Sequence, residues 1–267
     1  MDVDALVGTL RAAGCVFAEE EAELLLAAAA EGADLAALVE LRVAGRPLEH
    51  VVGWAEFCGL RMAVGEGVFV PRRRTEFLVR EAAAGGRADS VVLDLCCGVG
   101  AVGAAVAAEL TARGVRGGDG GRVELHAADI DPVAVSYAAR NVAPYDGRVY
   151  AGDLYGPLPA ALLGRVDILV ANAPYVPTDE IGLLPPEARE HEPSATLDGG
   201  ADGVDVQRRV AAGALPWLAP GGRLLIETSD RQARWTTEAL TRAGFGEVAV
   251  VSSEELDATV VIGTAAE

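Results

Sequence analysis

Val91-Val92-Leu93-Asp94-Leu95-Cys96-Cys97-Gly98-Val99-Gly100-Ala101-Val102-Gly103 is the stretch that sets the fold class. Its first five residues form an apolar run of strand length. Glycines follow at close spacing, and the Ala-rich segment from Ala101 to Arg113 then has the length and composition of a helix. A strand that turns through glycines into a helix brings bare backbone up to a ligand at the helix N-terminus, where main-chain N–H groups are free to donate. Gly98 to Gly103 also spells GxGxxG, a weak dinucleotide signal when taken alone.

Outward from this stretch, strand-like and helix-like segments alternate. Strands are predicted at Val91 to Leu95, Val123 to Ala128, Val149 to Ala151, Val166 to Ala171 and Gly222 to Glu227, with two more near Val248 and Val260. Helices are predicted at Ala101 to Arg113, Pro132 to Val142, Val204 to Leu215 and Gln232 to Ala243. Such alternation predicts an α/β domain with a parallel sheet covered by helices, and the last two strands suit an antiparallel edge. Gly114 to Gly121 reads as a surface loop.

Upstream, Ala/Leu patches at helical spacing predict three short helices around Leu6, Leu24 to Leu26 and Leu38 to Leu41. Pro47 and Gly53 then punctuate the chain, and Trp54 to Val70 alternates around Gly59 and Gly65 like a hairpin. The expected organisation is a helical unit over 1–50, a linking hairpin over 51–74 and a main domain over 75–267. Thr75 is placed to cap a helix running to about Ala84, with Glu76 near its positive end.

The chain has 267 residues, 51% of them hydrophobic, which is enough for one large core and a small appendage. Its longest apolar stretches, such as Leu24 to Ala30, fall short of the roughly 20 residues of a membrane span, and the acidic N-terminus lacks a signal peptide's basic region. A cytoplasmic protein without membrane contact is expected. All 22 basic residues are arginines; without lysine there is neither a P-loop lysine nor a Schiff base. A net charge of -18 opposes stable binding to nucleic acid. Cys15, Cys58, Cys96 and Cys97 show no CxxC spacing and the three histidines are scattered, so no metal site is expected. Arg72-Arg73-Arg74 reads as a solvated turn that could also touch an acidic partner. Nothing in the sequence sets the oligomeric state.

Asn172-Ala173-Pro174-Tyr175 directly follows the apolar run Val166 to Ala171. Ligands of open α/β sheets gather at the carboxyl ends of the strands, which is where this tetrapeptide would lie. The Asn172 amide offers an acceptor, and Pro174 holds Ala173 extended with its carbonyl free to accept. Two acceptors can grip an NH2 group, and Tyr175 offers a face for a planar amide or base. An exocyclic amino group of adenine or guanine fits the same tetrapeptide.

The glycine loop calls for a nucleotide-like cofactor. Asp94, four positions before Gly98, would repel a pyrophosphate, whereas it can pair with the ammonium group of S-adenosylmethionine directly or through water. Asp129, at the end of the next strand, suits both ribose hydroxyls, as it would with NAD. Asp153 suits the adenine amino group, with Leu154 packing on the ring. Cys96 and Cys97 read as small apolar loop fillers. The literal GxGxxG leaves an NAD-binding oxidoreductase as the alternative of another class, and a noncatalytic cofactor-binding module is a further one.

Together these regions resemble the HemK/PrmC family of protein-glutamine N5-methyltransferases over roughly residues 20 to 263. The resemblance rests on Arg46-Pro47-Leu48 before Gly53, Glu56-Phe57, Gly59-Leu60, Val70-Pro71-Arg72 followed by Thr75-Glu76, and Asp94 to Gly100. It continues through Ala128-Asp129-Ile130, the Asn172 tetrapeptide, Glu192-Pro193 with Ala195 and Leu197, and Pro220-Gly221-Gly222. It implies a class I, Rossmann-like, mostly parallel seven-stranded sheet behind a small helical domain and a linking hairpin. Cys96, Cys97, Gly98, Val99, Gly100, Asp129 and Leu154 would then line S-adenosylmethionine. Asn172, Ala173, Pro174 and Tyr175 would hold a glutamine of a peptide chain release factor, with Asn172 central to the chemistry. Cys96 stands where the family usually has its first glycine, a replacement expected to need a negative φ. Ala173 replaces the first proline of the usual Asn-Pro-Pro-Tyr, and the N-terminal helical region is shorter than is typical. Glu192, Arg189 and His191 are read as solvated loop residues.

Overall fold

A computed structural model describes residues 2–117 and 121–267. Four helices open the chain: α1 (Val3–Ala12), α2 (Ala18–Ala30), α3 (Leu35–Val43) and the short α4 (Leu48–Val52). Leu6, Leu10, Leu25, Leu38 and Val51 close a core of their own among them. Asp34 caps α3 by accepting from the Ala36 N–H, and Gly53 ends α4 with φ 82, a left-handed stop that glycine adopts without a Cβ clash. One buried guanidinium organises the bundle. Arg42 Nε donates to Glu21 Oε2 at 2.6 Å, and Nη1 donates both to the Arg46 carbonyl at 2.9 Å and to Glu187 Oε1 at 2.7 Å.

The hairpin pairs β1 (Trp54–Phe57) with β2 (Leu60–Ala63). Its two-residue turn has φ 51 at Cys58 and φ 71 at Gly59, the pair of positive angles that matches a tight turn to the twist of its strands. Asn141 ties this hairpin to the main domain. Its Oδ1 accepts from the Ala63 N–H at 2.8 Å, while Nδ2 donates to the Ala63 carbonyl at 3.0 Å and the Val99 carbonyl at 2.8 Å.

The main domain follows as α5 (Glu76–Ala84), β3 (Val91–Leu95), α6 (Ala101–Gly117), β4 (Glu124–Asp129), α7 (Pro132–Val142), β5 (Arg148–Ala151) and β6 (Val166–Ala171). It ends with α8 (Pro186–His191), α9 (Asp205–Ala214), β7 (Leu218–Thr228), α10 (Ala233–Ala243), β8 (Glu247–Ser253) and β9 (Ala258–Thr264). The seven strands lie in the order β5-β4-β3-β6-β7-β9-β8. Neighbours from β5 through β7 run parallel, and β9 runs antiparallel to both β7 and β8. This is the mostly parallel α/β sheet with the antiparallel edge that the alternation of segments predicts.

Every residue of β3 is buried, as a central strand covered on both faces requires. Val92 faces a core shared with α5, α6 and α7, while Leu93 and Leu95 face one shared with α9 and α10. The switch in strand order falls between β3 and β6, so chain leaves the sheet there in opposite directions and opens a crevice at the carboxyl edge.

Several expectations need correction. Residues 114–117 are the last turn of α6 rather than loop, and residues 118–120 lie outside the described residues. A Cβ at Gly114 would collide with that of Ala88, so glycine is what lets the helix lie this close. β7 starts at Leu218, ahead of the predicted Gly222, because its pairing with β6 carries a register shift that absorbs Pro220 and Gly221. Thr75 precedes α5, but its side chain makes no cap hydrogen bond, since the hydroxyl serves elsewhere.

Candidate active site

Leu95 of β3 pairs in register with Ala171 of β6. The next residues, Cys96 and Asn172, therefore leave adjacent parallel strands side by side, about 5 Å apart in backbone spacing. The glycine turn and the Asn172 tetrapeptide share one end of one crevice.

The turn is built from positive φ angles: 54 at Cys96, 54 at Gly98 and 76 at Gly100. The expectation of a negative φ at Cys96 is wrong, because the backbone there keeps the left-handed form that a glycine would adopt freely. A non-glycine residue in that form costs roughly 1–2 kcal/mol, against roughly 0.5–1 kcal/mol of extra chain entropy lost by glycine. Cys96→Gly is therefore expected to stabilise the protein by about 0.5–1 kcal/mol, read as a higher urea midpoint at unchanged slope.

Gly98 N donates to Asp129 Oδ2 at 2.8 Å and Asp131 N donates to Asp129 Oδ1 at 2.9 Å, which lashes the turn to the end of β4. Asp94 lies beneath the turn, only 1% exposed, and Gly103 N in the first turn of α6 donates to its Oδ2 at 2.8 Å. Burial pushes the Asp94 carboxyl up to about 7, against the pull of that N–H. Its position supports the turn from below and leaves it almost no surface for direct contact with a ligand.

The crevice in front of the turn fits an adenosyl cofactor. A Cβ at Gly98 would meet nothing within 4 Å, so that backbone faces open space, whereas one at Gly100 would press on Val142 and Ala138 at 3.1–3.2 Å. Ile130, beside Asp129, is 66% exposed, an uncovered apolar side chain suited to a flat ring. Asp153 is ion-paired with Arg209 of α9 at 2.5 Å, and Leu154 beside it has φ 46. The thiols of Cys96 and Cys97 are both pushed up by burial, which keeps them protonated and unreactive.

On the β6 side, Asn172 Nδ2 donates to Thr75 Oγ1 at 3.2 Å, and Ala173 is 1% exposed. Gln232 Nε2 donates to the Tyr175 carbonyl at 2.7 Å. The Tyr175 hydroxyl donates to Glu227 Oε1 at 3.5 Å, the long end of hydrogen-bond range. Glu227, next to last in β7, is only 2% exposed, and its Oε2 has no hydrogen-bond partner. Burial pushes its carboxyl up to about 7, offset in part by Thr75, Arg74 and Tyr175. A pocket of about 90 Å³ opens there, lined by Arg74, Tyr175, Glu227, Ser229, Asp257 and Thr259 among others.

The arginine cluster and Glu192 also differ from expectation. Arg72 Nη2 donates to both Glu192 oxygens, at 2.6 and 2.7 Å, and Val70 N donates to Oε1 at 3.1 Å. The Glu192 side chain is 1% exposed, so neither partner is merely solvated. Arg74 lines the pocket. Glu227 is a site residue that sequence reasoning missed; Thr75 carries part of the resemblance but is read from sequence as a helix cap, and Arg74 is read as part of a solvated turn that could touch an acidic partner.

Asp94 and Glu227 together set a pH dependence of stability. Each has a folded pKa above its unfolded value, so its contribution is fully present below the unfolded pKa and lost as pH rises through about 7. Between those limits each removes about 1.4 kcal/mol of stability per pH unit. The melting temperature is accordingly expected to be higher near pH 5.5 than near pH 8, by about several degrees in a calorimetric scan without ligand.

No established family profile matches the chain. Curated relatives do. The release factor glutamine methyltransferase of Mycolicibacterium smegmatis is 37% identical over 261 residues, covering 91% of this chain and 88% of its own. The chain belongs to that family. The release factor glutamine methyltransferase of Geobacter sulfurreducens is 36% identical over 210 residues, covering 78% of this chain and 69% of its own. Among solved structures, a methyltransferase from Pyrococcus furiosus superposes with a TM-score of 0.53 at 15% identity, over 78% of this chain and 90% of its own. That likeness shows the fold, a class I methyltransferase sheet. Membership in the release factor glutamine methyltransferase family sets aside the oxidoreductase reading of GxGxxG. No helix among the described residues is long and apolar enough to cross a membrane.

Proposed function

We propose that the protein transfers a methyl group from S-adenosylmethionine to the side-chain amide nitrogen of a glutamine, and that the acceptor is a peptide chain release factor. The observation that carries this reading is the pairing of Leu95 with Ala171, which opens the amide-gripping tetrapeptide beside the cofactor turn. Family membership supports the acceptor. Cys96 to Gly100, Asp129, Ile130 and Leu154 hold the cofactor in this reading, with Asp94 bracing the turn and Asp153 at the adenine end. When bound, S-adenosylmethionine supplies a methyl group on a positively charged sulfur.

An amide nitrogen is a poor nucleophile because its lone pair is shared with the carbonyl. The protein's task is therefore to hold that nitrogen, turn its lone pair outward and exclude water. Asn172 Nδ2 is committed to Thr75, which leaves Oδ1 to accept one N–H of the glutamine. The Ala173 carbonyl accepts the other, and the Tyr175 ring covers the planar amide. Hydrogen bonds that draw on both N–H groups raise electron density on nitrogen as the new bond forms.

Incubation with methyl-labelled S-adenosylmethionine and either a Gly-Gly-Gln release factor or ribosomal RNA tests the proposal. Label on the glutamine side chain, located by mass spectrometry, is the expected result. Label on RNA alone would overturn it.

A further inference from the structure

Tyr175 is held by its main chain more firmly than by its ring. Gln232, the residue before α10, is 4% exposed, and its Nε2 donates to the Tyr175 carbonyl at 2.7 Å and to the Asp202 carbonyl at 3.0 Å. Ser229 Oγ donates to Gln232 Oε1 at 2.5 Å, which fixes the end of the amide that faces the two carbonyls. Both amide protons and the amide oxygen are thereby used, as a buried carboxamide requires. The main chain of Gln232 is itself anchored, because its N–H donates to the Ser229 carbonyl at 3.0 Å and its carbonyl accepts from Trp235 N at 2.9 Å. The N–H of Val176 donates to the Leu197 carbonyl at 2.9 Å, so the peptide plane that joins Tyr175 to Val176 is bonded on both sides. Ahead of Tyr175, the Pro174 ring fixes φ. The ring's own hydrogen bond, to Glu227 at 3.5 Å, is the weaker tether.

We propose that Gln232 is a positioning residue for methyl transfer: by clamping the Tyr175 and Asp202 carbonyls together, its amide aims the Tyr175 ring at the glutamine amide. The inference rests on the functional reading above and deepens it. A Cβ at Gly203 would lie 2.1 Å from Gln232 Nε2 and 2.4 Å from the Tyr175 oxygen, so glycine is what lets the segment carrying Asp202 close on this amide. Without the clamp, two carbonyl dipoles face each other with no donor between them, and the peptide plane that carries the ring turns away. Gln232 follows β7, which lies on the far side of β6 from β3 and its glycine turn. Its loss therefore falls on the acceptor and leaves donor binding alone.

The test is a double-mutant cycle on a release factor at saturating S-adenosylmethionine, with methyl label so that losses of about a thousandfold remain measurable. Gln232→Leu is expected to lower kcat about tenfold, with KM for the release factor within about threefold of wild type, because contacts remote from the glutamine set KM. Tyr175→Ala keeps the carbonyl that Gln232 holds and lacks the ring. Adding Gln232→Leu to Tyr175→Ala is therefore expected to cost less than about twofold more. An equal loss in both backgrounds overturns the proposal, since Gln232 would then act through something other than the ring. A loss confined to KM overturns it as well, and so does a Tyr175→Ala variant as fast as wild type. Calorimetric binding of S-adenosylhomocysteine checks that each variant is folded. If Gln232→Leu is not, Ser229→Ala takes its place in the cycle: it frees the amide to turn, and a loss of about threefold is expected in wild type and none in Tyr175→Ala, equal losses again overturning the proposal. A wild type that methylates no release factor overturns the functional reading instead.

Discussion

Asn172→Ala is expected to lower kcat by more than tenfold, at least about 2 kcal/mol in the barrier, with donor affinity nearly unchanged. The change removes the side-chain amide acceptor of the tetrapeptide and leaves Thr75 without the donor it now accepts from at 3.2 Å. The glutamine amide then keeps the Ala173 carbonyl as a single acceptor and can rotate about that contact. A misaimed lone pair lengthens the approach to the methyl carbon, which acts on the transition state more than on binding. Single-turnover rates with labelled donor, beside a calorimetric titration of the donor, check both halves. An unchanged rate would remove Asn172 from the mechanism.

Arg72→Met is expected to destabilise the protein by about 3 kcal/mol, because it strands a buried carboxyl whose remaining partner is the Val70 N–H. For a chain of this size that corresponds to a fall of about 6–12 °C in melting temperature. The sign of the pH effect follows from Glu192. Burial already pushes its carboxyl up, and without the Arg72 guanidinium it rises further. The loss should therefore be larger at pH 8, where the group must be charged, than at pH 5.5, where it takes up a proton. A loss independent of pH would mean that Arg72 acts through its packing over the Phe69 ring, whose centroid lies 4.7 Å from the guanidinium carbon.

What the sequence made legible was local in the chain. The run from Val91 to Gly103 carries its own strand, turn and helix, and the apolar segment before Asn172 places that residue at a strand end whatever surrounds it. A parallel sheet with an antiparallel edge followed from the alternation of elements, but the order of its strands did not. Contacts across long sequence separations were not legible. Glu192 meets Arg72 from 120 positions away, and Glu227 reaches Tyr175 from 52 positions away, each held by tertiary packing and by no local pattern. A buried carboxylate looks like a solvated one when only its neighbours in sequence are known. Cys96 illustrates a different gap: residue type suggests backbone angle only as a preference, and Asp129 and Ala128, pulling on the next two N–H groups, overrule it. Thr75 looked like a helix cap because its position is right, but its hydroxyl lies within reach of Asn172 and is taken up there.

The grip of Arg42 on Glu21, on the Arg46 carbonyl and on Glu187 has a consequence for anyone splicing relatives together. A chimera that borrows its first fifty residues from another member imports one half of a lock whose other half, at position 187, lies beyond the Asn172 tetrapeptide. Donor and recipient have to be matched at both places, or the grafted bundle loses the contact that fastens it to α8.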